Sequence, residues 1–237
     1  MSDLVKYFEL GQRALSEKDL NKAIDFFTKA LQTEDKQQQV RIYTALGDIN
    51  HELVQIKESI VQYTNALKVA AELKDIDCEI KLLQTMGNVC QEAKSYAEAI
   101  KCHEKCLEKI KEGSNDQVKS EVMRSLGTCY SLTKNHLKAL STLKEALKLQ
   151  REVGNKKEIA LTLYELGMEQ ADTDQTKDAL KNLKEAFSIF KILGMNGEMK
   201  KVQREIQVIE SEENEKRWID EKLVKYKKIH KFKDEIE

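Results

Sequence analysis

Five glycines constrain this chain more than any other feature. Gly47, Gly87, Gly127 and Gly167 recur every 40 residues, and Gly11 precedes Gly47 by 36. Each follows a large apolar residue: Leu10, Leu46, Met86, Leu126 or Leu166. Twelve residues beyond each glycine comes a small side chain (Ala23, Ser59, Ala99, Ala139, Ala179), and seven further on another (Ala30, Ala66, Cys106, Ala146, Ala186). Between the two small positions lies a bulky one: Phe27, Tyr63, His103, Leu143 or Leu183. A glycine inside a helix costs roughly 1 kcal/mol against alanine, so five in register need a packing reason. Close approach of two helices supplies it, because one of them must present almost no side chain at the point of contact. The bulky residues then fill the space beside that contact.

Composition agrees with helices throughout. The 237 residues contain no proline and 9 glycines, too few turn formers for a β-rich fold of this length. Apolar residues make up 41% and charged ones 34%, which suits many exposed helix faces better than one large globular core. Periodicity and polar breaks predict ten helices, at about 4–17, 20–33, 37–54, 57–73, 77–93, 96–112, 116–133, 136–152, 156–173 and 176–193. Taken in pairs they form five units within residues 1–194, at about 4–35, 37–75, 77–113, 116–154 and 156–194. Gly113, Gly154 and Gly194 stand where the second helix of a unit ends, as left-handed C-caps do.

These columns resemble the tetratricopeptide repeat (TPR), whose signature is W-x2-L-G-x2-Y followed by A-x3-F-x2-A. The resemblance spans residues 4–194 and is strongest at the Leu-Gly and alanine columns. The family's Trp position holds Tyr7, Tyr43, Leu83, Met123 and Leu163; its Tyr position holds Ala14, Asn50, Cys90, Tyr130 and Gln170. The closing proline is absent from every unit. The 40-residue period is similar to the long-helix class of the Pins/LGN scaffolds, and the stretch Arg151 to Glu158 resembles the junction between repeats in that class. The resemblance implies an all-α fold, a right-handed superhelical solenoid of antiparallel helix pairs. It also implies a non-catalytic scaffold that binds a peptide or helical segment in a concave groove.

In the family, the first helix of each repeat lines that groove, at about six and three residues before the glycine and one and four after it. Carried over, those positions are Arg41, Thr44, Asp48 and His51 in the second unit, and Lys81, Gln84, Asn88 and Gln91 in the third. Arg124 and Thr128 follow in the fourth, and Tyr164 and Met168 in the fifth. The middle of the implied groove is polar, with cations for acidic side chains and amides for peptide backbone. Its ends are apolar, with Val5, Phe8 and Leu15 at one and Leu161 at the other. Cochaperones of this family that clamp a terminal EEVD-type carboxylate need a lysine and an asparagine on the first helix. Phe8 and Gln12 stand there in the first unit, so that ligand is not expected.

Residues 195–237 break the repeat, for Gln207 stands where a sixth glycine would fall. Residues 198–236 contain no Gly or Pro and read as one helix of about 58 Å. Val202, Ile206 and Ile209 form a stripe suited to closing the last open face of a solenoid. Beyond them an acidic block (Glu210, Glu212, Glu213, Glu215) gives way to a lysine-rich one, with Trp218, Ile219, Leu223 and Tyr226 on the same stretch. That segment reads either as a solvated helix or as a docking element for a partner or a second copy. Lys222 and Lys233 interrupt its heptads, against a strong coiled coil.

Nothing in the sequence singles out a catalytic centre. The four histidines are scattered, and no Walker loop, nucleophile elbow, dinucleotide fingerprint or HExxH is present. Cys102-His103-x-x-Cys106 has a ligand-like spacing, yet Cys106 and His103 occupy packing columns, so no metal or cofactor is expected. A net charge of −1 argues against nucleic-acid binding through bulk positive charge. There is no stretch long and apolar enough to span a membrane, and the start of the chain does not read as a secretory signal. Five cysteines, an odd number, fit a reducing, cytoplasmic setting, cytoskeleton and cilium included. The expected partner is therefore a protein segment, acidic in part. The alternative is a structural subunit of a cytoskeletal or ciliary assembly that docks through its convex face and C-terminal helix.

Overall fold

The computed structural model describes residues 3–110 and 115–234, with side chains as far as Val224. The described residues form helices joined by short turns: α1 (Asp3–Ser16), α2 (Leu20–Ala30), α3 (Lys36–Glu52), α4 (Ile56–Leu73), α5 (Ile76–Glu92), α6 (Tyr96–Lys109), α7 (Asp116–Leu132), α8 (His136–Val153), α9 (Lys156–Asp172), α10 (Thr176–Ile192) and α11 (Asn196–Asp234). Each expected helix is found, with ends displaced by no more than a turn. The largest displacements are in α2 and α6, each three residues shorter than expected; α2 has 11 residues where α4 has 18. The shorter helix, offset in part by a longer connection to α3 (31–35 against 74–75 after α4), gives a first period of 36 residues and not 40. The expected cap at Gly113 lies outside the described residues.

The repeating columns are the core. All five residues at each small position are fully buried, and so are the five bulky ones between them. A Cβ added to Gly11 would stand 2.8 Å from the Phe27 ring. At Gly47 it would stand 2.6 Å from Tyr63, at Gly87 2.4 Å from His103, and at Gly167 2.8 Å from Leu183. These separations are below van der Waals contact, so each glycine is required by the side chain facing it. Where a small position is polar, it finds a carbonyl. Ser59 Oγ donates to Gly47 O at 2.9 Å, and Cys106 Sγ lies 3.4 Å from Ile80 O.

Caps explain the helix boundaries. Asp19, Asp35, Asp75, Asn115 and Asn155 each accept from a backbone N–H two or three residues on, satisfying donors that the first turn leaves free. Seven residues after each repeat glycine, the chain turns through a left-handed residue: Lys18, Val54, Lys94, Lys134 and Asp174, with φ between 58° and 61°. The next N–H reaches back five residues, as from Gln55 N to Asn50 O and from Ser95 N to Cys90 O, both at 2.8 Å. Gly154 and Gly194 take the same left-handed conformation between pairs, at φ 82° and 69°.

The chain divides into two compact units, Met1–Asn135 and His136–Glu237. In the first, Phe27, Ile42 and Leu46 form one apolar cluster, and Tyr63, Leu82 and Met86 another. In the second, Leu143, Leu163, Leu183 and Phe190 pack with Val202 and Ile209 of α11, the stripe expected to close the last pair.

Candidate functional site

Within the first unit, α3 and α5 turn Gly47 and Gly87 toward Tyr63 of α4 and His103 of α6, and the expected groove positions lie about 40–120° around the helix from each glycine. Arg41, Asp48, Lys81 and Asn88 are exposed, while Thr44, His51, Gln84, Gln91, Arg124 and Thr128 are half-buried. Arg41 and Lys81 hold the same register on α3 and α5, six residues before the glycine. Arg124 lies three residues further along α7.

Several of these side chains are held in place by neighbours. Asp48 Oδ1 accepts the Tyr63 hydroxyl at 2.6 Å. Burial, then the Asp48 carboxylate, raises the Tyr63 pKa, so the phenol stays a donor. His51 Nε2 lies 2.9 Å from Glu92 Oε2, joining the ends of α3 and α5. Cys129 Sγ of α7 lies 3.6 Å from Gln91 Oε1 of α5. The hydroxyls of Thr44 and Thr128 donate to the carbonyls four residues back, at 2.8 and 3.0 Å. Lys81 and Gln84 line a cleft of about 340 Å³ with Asp77, Ile80, Asn115 and Val118, between the N-terminal turns of α5 and α7.

Sequence reasoning named the cations of this face and Asp48, and missed two anions beside them. Glu92 lies one residue past the expected groove position at Gln91, and Asp77 four residues before Lys81. Extending the register one turn back from Lys81 along α5 would have found Asp77. The fifth-unit positions are placed differently. Tyr164 and Met168 pack into the apolar cluster of the second unit, together with Met199 and Ile206 of α11. Lys201 Nζ sits 4.7 Å from the centre of the Tyr164 ring. Lys201 of the C-terminal helix thus lies over one of the two side chains expected to meet a ligand.

Beneath the polar face lies an unusual core residue. His103 is fully buried, and both ring nitrogens lack a hydrogen-bond partner. Burial, assisted by the Arg124 charge, pulls its pKa down to about 4, so the ring is neutral near pH 7. Its neighbours in sequence are likewise packing groups. Burial raises the Cys106 thiol to about 11, and Cys90 is raised by its hydrogen bond to Cys102 and by burial. None of the five cysteines is joined in a disulfide. Among the described residues, no three His, Cys, Asp or Glu side chains gather as a metal site would require, and no helix is long and apolar enough to cross a membrane.

The model of the tetratricopeptide repeat family matches residues 77–152 and 119–192. No curated protein matches the chain. Among solved structures, the apo form of RapI is similar with a TM-score of 0.75 and 20% identity, over 84% of this chain and 74% of RapI. BtubC (BKLC) from P. vanneervenii is similar with a TM-score of 0.67 and 19% identity, over 79% of each chain. YrrB, described as a TPR protein with an unusual peptide-binding site, is similar with a TM-score of 0.58 and 20% identity, over 77% of this chain and 84% of YrrB. At these identities the likeness is one of fold.

Proposed function

The chain belongs to the tetratricopeptide-repeat family, and from that premise we propose that it is a non-catalytic scaffold that captures a protein segment on α3, α5 and α7. The segment is extended or helical and acidic in part. Arg41, Lys81 and Arg124 meet its carboxylates, and Gln84, Asn88 and Gln91 meet its backbone. The observation that carries this reading is the exposure of Arg41 and Lys81 at one register, beside a polar cleft between α5 and α7. YrrB, similar in fold, is described as having a peptide-binding site, which supports the reading by analogy alone. The reading needs no cofactor, and we propose the cytoplasm as its setting, on the odd number of cysteines.

The test is charge reversal. R41E, K81E and R124E together should abolish capture of acidic peptides in a fluorescence-polarisation screen. Lys144→Glu with Lys148→Glu, exposed on α8, makes the same kind of change at residues outside α3, α5 and α7 and should leave capture intact. Unchanged capture by the triple variant, with normal helicity, would remove the proposal.

A further inference from the structure

The far half of α11 is tied to the second unit by the exposed Lys216–Asp174 ion pair at 3.6 Å, and it carries apolar side chains in water. Val202 and Ile209 are buried, and Lys184 bridges Glu210 at 2.7 Å, so the near half is held against the second unit. From Asn214 to Val224 every side chain is exposed. Among them are Trp218, Ile219, Leu223 and Val224, from 43% to 60% exposed. Four large apolar residues within seven positions of a projecting helix mark a contact surface more than a solvated arm.

The charges identify the occupant. Residues 210–221 contain six carboxylates against Lys216 and Arg217. Residues 222–234 contain six lysines against Asp234 alone. The helix is therefore an acidic rod continued by a basic one, with the apolar residues at the join. Such a rod is complementary to itself in one orientation only. Laid parallel and in register, two copies would set lysines against lysines. Laid antiparallel, each acidic block runs along the other copy's basic block, and Ile219 and Leu223 of both copies meet at the centre.

We propose that α11 is a self-recognition element. Two copies of this chain pair antiparallel through residues 210–234, across a two-fold axis near residues 221–222. The overlap is about 37 Å long. Lys222 breaks the apolar seam, so the pairing is modest in strength and rests on charge. This goes beyond the groove reading and does not depend on it: a dimer joined at α11 presents two groove-bearing units.

The test uses the full chain. Sedimentation at low salt should show mass rising from one chain to two with concentration. The emission of Trp218, the single tryptophan, should shift to the blue in parallel. Raising salt to about 0.5 M should weaken association by about tenfold or more. Carbodiimide should link carboxylates at 212–215 of one copy to lysines at 225–231 of the other. K222E, K225E, K227E and K228E together should give a monomer, as should E212K, E213K and E215K; mixing the two variants should restore a dimer. The proposal fails if the wild-type chain stays monomeric, if the dimer survives either reversal, if the mixture does not pair, or if the cross-links fall elsewhere. A monomer whose Trp218 shifts only on anionic vesicles would assign the helix to a lipid surface and overturn it equally.

Discussion

The Tyr63 hydroxyl donates to Asp48 Oδ1 at 2.6 Å while its ring fills the space where a side chain on Gly47 would stand. One residue thus fixes the distance between α3 and α4 and the position of a carboxylate on the polar face. Packing and recognition share a side chain there. Tyr63→Phe keeps the packing and removes the hydrogen bond. We expect it to cost about 1 kcal/mol in urea unfolding, because the partner carboxylate is exposed and water replaces the phenol.

Gly87 faces His103 as Gly47 faces Tyr63, but more closely, at 2.4 Å for an added Cβ. Gly87→Ala should cost about 1–3 kcal/mol by forcing the buried ring aside. His103→Ala in the same chain should recover part of that loss, so that the two changes are not additive. A fully additive double mutant would show that the contact is not what requires the glycine.

His103 makes stability depend on pH. Its folded-state pKa of about 4 lies below the ordinary 6.5, so the folded chain binds fewer protons at this site than the unfolded chain. Stability at this site is complete above pH 6.5. It falls as pH drops from 6.5 toward 4, by about 1.4 kcal/mol per unit at most. His103→Leu installs the residue that Leu143 and Leu183 already supply at this position. Its thermal midpoint should exceed that of the wild type at pH 5 by more than it does at pH 8.

The same histidine reports on the groove. The Arg124 charge helps to hold the His103 pKa down. An acidic peptide bound at Arg124 would offset that charge, so NMR titration of the imidazole should show a higher pKa in the complex. An unchanged value with peptide bound would place the peptide away from Arg124.

Val54 carries a backbone cost. It is a β-branched residue at φ 61° and is 78% exposed. Left-handed backbone is unfavourable for such a residue and tolerated by asparagine. Val54→Asn should therefore raise stability by about 0.5–1 kcal/mol, as read by urea midpoint at constant slope.

The turn at Val54 also shows where the sequence stops being legible. Every pair of helices turns through a left-handed residue seven positions after its glycine, yet none of the five is glycine. The conformation is imposed by helices already committed to packing, and no local preference announces it. The helices themselves were legible, because small residues recurring at helical spacing have a single physical use: letting two rods approach.

The candidate site divides in the same way. The residue types along α3, α5 and α7 follow from the glycine register, so the sequence alone determined which side chains share the polar edge. It did not determine their partners. That Glu92 pairs with His51, 41 positions away, depends on how one helix pair stacks on the next. That Lys201 covers Tyr164 depends on where α11 lies, and α11 carries no repeat signature to reveal it. Periodicity encodes contacts within a pair, since both helices belong to one repeating pattern. Contacts between pairs turn on residues outside the repeating columns, and those of the terminal helix involve a segment outside the repeat, so only the folded chain brings them together.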